Sequence, residues 1–184
     1  MAAPTKEQHQ AARQFVDQVI AALKNDRGVH AETTIAATAR MAGTFLFRSF
    51  AFPLSSAAPG QAVFSDAANE QGPKLVQILG SVLAYLGVNL DQSKLGEKQT
   101  PEHQPHLEFL VTQRLLEPLF SRTKDALGLS YVAAAESATV ATALLIQKCV
   151  PVLDPNVAFG IAAYGFVEGS KTAPDPVVLE QVAV

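Results

Sequence analysis

The chain has few of the residues that usually mark a secreted, reactive or nucleic-acid-binding protein. It contains a single cysteine, Cys149, so an intramolecular disulfide framework is excluded. Charged residues make up 17% of the chain, against about 25% in typical soluble domains. The formal net charge is −3, and no cluster of Lys and Arg is present to neutralise phosphates. We therefore expect no nucleic-acid partner.

Apolar residues, by contrast, are abundant. They fill 48% of the 184 positions, enough for one domain to bury a sizeable core. No basic region followed by an apolar run opens the chain, and the apolar run over 158–167 is shorter than the roughly 20 residues that span a bilayer. The sequence predicts a cytoplasmic protein without a transmembrane segment and, on composition alone, a bacterial one. Low charge with abundant apolar residues also favours a surface that another chain covers.

Helical periodicity runs through most of the chain, and β alternation is absent. Thr5 and Gln8 have the spacing of a capping box, and Asp154 followed by Pro155 supplies the N-cap and first-turn residue types of another helix. These patterns predict an all-α, single-domain bundle of about six helices over 1–170. A long loop near 51–69 interrupts it, and a non-helical tail follows over 171–184.

The helix predicted over 30–50 has no clean polar face. Ala39 and Gly43 stand one turn apart on it and favour close packing against another helix. Glu32 and Arg40 lie two turns apart on roughly the same side, and buried charges need partners. They either pair with each other or with Glu136, or they line a ligand pocket as a carboxylate and a guanidinium.

Glu136 lies in an alanine-rich helix and has two interpretations. It is either an acid with a raised pKa in an apolar cavity or one polar residue on a thin exposed stripe. Aromatic residues, including Phe45, Tyr164 and Phe166, are expected in the core. If they faced one cavity, they would suit a small apolar or aromatic ligand.

His103 and His106 are the best candidates for metal ligands in the sequence, because residues three apart on a helix share a face. Glu102 lies beside His103, and Glu108 lies beyond His106. Pro105 lies between the two histidines, and metal sites usually need a third protein ligand, so solvated histidines are the alternative. Cys149 is expected near the end of a helix, where the dipole disfavours a thiolate, and a structural role is favoured. No Glu-x-x-His, Gly-x-Ser-x-Gly or P-loop pattern occurs.

Three functions are compatible with this sequence, and no motif identifies a reaction or a cofactor. The favoured one is a non-enzymatic module that self-associates, as a homodimer, through its apolar helices. The second is a helical domain that binds a small apolar or aromatic ligand, with Glu32, Arg40 or Glu136 fixing a polar group. The third is a metal-dependent enzyme that uses His103 and His106.

Overall fold

The computed structural model describes residues 4–50, 52, 57–95 and 100–178. These residues form six α-helices: α1 Lys6–Leu23, α2 Ala31–Ser49, α3 Asp66–Tyr85, α4 Phe109–Ala126, α5 Tyr131–Cys149 and α6 Pro155–Lys171. Between α3 and α4, the described part of the chain also contains two short 3₁₀ turns, Gln92–Lys94 and Pro101–His103. Only isolated β-bridges occur in the part of the chain described, and the predicted all-α bundle is confirmed.

Side-chain caps fix where the helices begin. Thr5 and Gln8 form the predicted capping box, in which each side chain accepts the backbone N–H of the other. Asp154 caps α6, with Pro155 in its first turn. Ser65 caps α3, so the long loop ends at Ser65, earlier than residue 69.

The centre of the bundle is α2, whose residues from Thr33 to Phe47 are all buried. Its most extensive contacts are with α6 and α5, which explains why it has no polar face. Phe45 lies in the core beside Phe15 and Phe120, as expected. Tyr164 does not, because α6 packs on α2 through its small residues and leaves Tyr164 65% exposed.

The backbones of α2 and α6 touch where glycines face each other. A Cβ built on Gly43 would lie 2.6 Å from the Phe166 carbonyl oxygen and 2.8 Å from the Gly169 Cα. A Cβ on Gly165 would lie 2.9 Å from the Cβ of Ala39. The close packing predicted from Ala39 and Gly43 is therefore confirmed, and positions 43 and 165 have no room for a Cβ atom.

The chain turns back on itself after α6. Thr172 pairs with Ala62 in an antiparallel bridge. The Gln113 side chain then donates to the Asp175 carbonyl oxygen and accepts the Asp175 N–H, and Arg48 donates to the Val177 carbonyl oxygen. The tail is non-helical over 172–178, while the predicted tail residues 179–184 lie outside the described residues.

Taken one at a time, the described helices are too short or too polar to cross a bilayer. Taken together, α4 and α5 are long and apolar enough to cross a bilayer, but the chain bends by 116° between them.

Candidate functional site: a cleft beside α2 and α6

An open cleft of about 380 Å³ lies between α2, α6 and the segment 104–108. Its size falls within the range of small-molecule sites, about 300–1,000 Å³. Ala36, Ile161 and Gly165 give it apolar lining, and Tyr164 adds an exposed aromatic ring. Three charged residues also line it: Arg40, Glu108 and Glu168.

Arg40 is held rigidly at this cleft although the residue is only 7% exposed. Its Nε donates to Glu168 Oε2 at 2.6 Å. Its Nη1 donates to the Leu107 carbonyl oxygen and, at 3.3 Å, to Thr112 Oγ1. These contacts supply the partners that a buried charge requires. The expectation that Arg40 pairs with Glu32 or Glu136 is wrong. Arg40 pairs with Glu168 on the neighbouring helix α6, while Glu32 pairs with His103 and Glu136 with Gln8.

The two N–H groups on Nη2 of Arg40 and the Oε1 atom of Glu168 make no hydrogen bond with the described residues. Hydrogen bonds among the described residues use neither Nη2 of Arg40 nor Oε1 of Glu168. Gln18 Oε1 and Thr44 Oγ1 are the only fully buried side-chain N or O atoms without a partner in the described chain. Nη2 and Oε1 therefore keep contact with solvent, and both residues line the cleft.

Three histidines and Glu32 gather next to the cleft, at the N-terminus of α2. His103 Nδ1 lies 3.0 Å from Glu32 Oε1, and His30 Nε2 lies 3.3 Å from Glu32 Oε2. Nδ1 of His30 accepts the Thr33 N–H, so Nε2 is the ring nitrogen that faces the carboxylate. The His106 ring stacks on His30 with centroids 3.8 Å apart. These contacts attach one wall of the cleft to α2.

The surroundings of Glu32 favour its charged form. Partial burial by itself raises the pKa, but the hydrogen bonds from His103 and the backbone, with the charges of His30 and His103, outweigh it. The net result is a pKa of Glu32 below its ordinary value. Glu32 therefore acts as an ionised bridge between two imidazoles.

His103 and His106 do not point at a common ligand position. His103 is turned to Glu32 and His106 packs on His30. Within the described residues, three or more His, Cys, Asp or Glu side chains nowhere assemble in a way that could hold a metal ion. The metal site stays a prediction of the sequence.

Glu136 lies away from the cleft, at the start of α5, where its Oε2 accepts a hydrogen bond from Gln8 Nε2 at 2.8 Å. Cys149 is half-buried. Burial raises the pKa of its thiol and the charge of Glu32 raises it further, in agreement with a structural role. Of the three residues predicted to bind a ligand, only Arg40 lines the cleft.

Glu168 is the site residue that sequence reasoning missed. It follows ten apolar residues and precedes Gly169, just as Arg40 follows Ala39 in the small-residue face of α2. Opposite charges beside the two small-residue faces are the signal that could have identified the pair of Arg40 and Glu168.

Compared with protein-family models, with curated proteins and with solved structures, the chain matches none of them. Any functional inference therefore rests on the residues of this chain and their geometry.

Proposed function

We propose that the protein binds a small molecule in the cleft between α2, α6 and residues 104–108. The observation that carries this proposal is the nearly buried guanidinium of Arg40, which lines the cleft, is fixed by three contacts and keeps the N–H groups of Nη2 without a partner among the described residues. Small-molecule sites typically combine an apolar lining with a few fixed polar groups. Arg40 and Glu168 supply the polar groups, while Ile161 and Tyr164 supply apolar and aromatic surface.

The test is a fragment screen by protein-observed NMR on the full chain. Bound fragments are expected to shift the backbone amides of 36–40, 104–108 and 161–168. Tyr164→Ala should weaken binding, because it removes aromatic surface, whereas Tyr85→Ala should not. Tyr85 is 90% exposed and lies on α3, outside the cleft lining.

A second pair of variants separates binding from stability. Arg40→Lys and Arg48→Lys each weaken an ion pair of a buried arginine, with Glu168 and Glu117 respectively. Only Arg40→Lys is expected to weaken fragment binding. Equal losses in both variants, or fragments that bind only elsewhere on the surface, would contradict the proposal.

A second candidate function is self-association as a homodimer through the outer face of α6. Supporting it, residues 158–167 carry no charge, and Tyr164 and Val167 are 65% and 49% exposed on that helix. Aromatic residues are enriched in interface cores, and charged residues are depleted there. Because Tyr164 also lines the cleft, a dimer built on this face would partly cover the ligand site.

Analytical ultracentrifugation over a range of protein concentrations tests the dimer. Val167→Glu is expected to shift a dimer to monomer, because it places a charge in the contact. Val132→Glu is the matched control, since Val132 on α5 is 47% exposed. A wild-type chain that stays monomeric at the highest concentration would contradict self-association.

The remaining expectations stay predictions of the sequence. A metal-dependent reaction at His103 and His106 is tested by elemental analysis of protein purified without added metal. A cytoplasmic location and a bacterial origin also remain predictions from the sequence.

A further inference from the structure

We infer that the cleft selects a neutral molecule with an acceptor and an N–H donor side by side. Primary carboxamides, lactams and the imide edge of a pyrimidine have this arrangement. The inference rests on the proposed binding function and adds the chemical class of the ligand.

The inference is argued from the ion pair of Arg40 and Glu168, in which only one nitrogen and one oxygen bond to each other. Nε and Oε2 bond to each other, while Nη2 and Oε1 have no partner among the described residues. In a planar guanidinium, Nη2 shares an edge with Nε, so one of the two unused N–H groups of Nη2 lies beside the bonded Nε–H. The unused acceptor belongs to the same carboxylate as the bonded oxygen. The pair therefore presents N–H donors on Nη2 and an acceptor on Oε1 that no described residue uses, and an amide edge complements such a donor and acceptor.

Charge in the cleft also favours a neutral ligand. Arg40 and Glu168 compensate each other, and Glu108 adds a further, exposed carboxylate to the lining. An anionic ligand that accepts from Arg40 also meets the carboxylates of Glu168 and Glu108. A cationic ligand that donates to Glu168 is repelled by Arg40. A site built to hydrogen-bond a particular edge discriminates against analogues that leave one of its polar groups unpaired.

Three probes of one shape test the inference on the full wild-type chain. Benzamide carries an acceptor and a donor, benzoate carries acceptors only, and benzamidine at neutral pH carries donors only. NMR titration of the cleft amides is expected to give a Kd for benzamide roughly tenfold below that of either charged analogue. The planar ring suits Tyr164 and Ile161 equally in all three, so the comparison isolates the polar edge.

A variant of the pair should change this preference. Glu168→Gln removes the negative charge and leaves Arg40 uncompensated, so benzoate is expected to bind more tightly than benzamide. Glu70→Gln is the matched control, because Glu70 is exposed on α3 outside the cleft lining, and benzamide should remain the preferred probe. Circular dichroism establishes that both variants are folded, and the wild-type comparison stands without them.

The possible outcomes distinguish a failure of this selectivity from a failure of small-molecule binding itself. Benzoate or benzamidine binding the wild-type cleft as tightly as benzamide overturns the inference and leaves small-molecule binding intact. An unchanged preference for benzamide in Glu168→Gln assigns the selectivity to other groups and also overturns it. If neither these probes nor any library fragment shifts the cleft amides, the proposed function itself fails.

Discussion

Gly43→Ala is expected to force α2 and α6 apart, although alanine favours a helix more than glycine does. The added Cβ would lie 2.6 Å from the Phe166 carbonyl oxygen, 2.7 Å from the Ser170 nitrogen and 2.8 Å from the Gly169 Cα. All three atoms belong to the backbone of α6, so a change of side-chain rotamer cannot relieve the contact. Ordinary contact begins at 3.4 Å, so the two helices must separate by roughly 0.8 Å.

The size of the effect follows from two opposing contributions. Overpacking a well-packed core costs about 1–3 kcal/mol. We expect a cost in the upper part of that range, because the added Cβ meets backbone atoms, which cannot move aside as a side chain can. Replacing glycine by alanine inside a helix returns up to about 1 kcal/mol. Gly80→Ala isolates the second contribution, because Gly80 lies inside α3 and its added Cβ would meet nothing within 4 Å. The difference between the two variants is therefore the overpacking cost alone, about 2–3 kcal/mol.

Urea denaturation followed by circular dichroism measures both free energies of unfolding. We expect Gly80→Ala to be at least as stable as the wild type and Gly43→Ala to be less stable. A difference of 2–3 kcal/mol corresponds to a gap of about 4–12 °C in Tm for a chain of this size. If Gly43→Ala proved as stable as Gly80→Ala, the direct backbone contact between α2 and α6 would be refuted.

Three further predictions concern ionisable groups. The lowered pKa of Glu32 means that its ionised form stabilises the fold above its ordinary value of 4.5, and this stabilisation is lost as the pH falls through the lower folded-state pKa. Glu32→Gln should therefore reduce the loss of unfolding free energy between neutral pH and about pH 3, measured by urea titration; an unchanged loss would contradict the pairing with His103. Burial and the charge of Glu32 raise the pKa of Cys149, so iodoacetamide should alkylate the folded protein more slowly than the unfolded one, and faster in Glu32→Gln; equal rates in that variant and the wild type would exclude the charge effect. Glu117→Gln should cost about 3 kcal/mol of unfolding free energy, because it leaves the buried guanidinium of Arg48 without its carboxylate, and a loss below about 1 kcal/mol would place this pair among surface ion pairs.

Local features of the fold were predictable because they depend on neighbouring residues. The capping box of Thr5 and Gln8 involves residues three apart, and the start of α6 at Asp154 and Pro155 needs only two adjacent residues. The tight contact at Gly43 was also foreseen, because small residues one turn apart have few other reasons to occur on a buried helix.

The partners of the buried charges were not predictable in the same way. Arg40 and Glu168 are 128 positions apart, and Glu32 and His103 are 71 apart. Helical periodicity gives the face on which a residue lies but not which helix packs against that face. Tyr164 shows the same limit: in a helix apolar all round, periodicity could not tell the face that packs on α2 from the face that stays exposed.

The distance along the chain between α2 and α6 also has a consequence for synthesis in the cell. Ribosomes add about 5–20 residues per second, so the 128 positions from Arg40 to Glu168 take about 6–26 s to translate. Throughout that time the apolar face of α2 lacks the helix with which it makes its most extensive contacts. Long-range contacts of this kind slow folding and leave apolar surface open to aggregation. The nascent chain is therefore expected to depend on chaperones that hold an unpaired apolar helix until α6 is made.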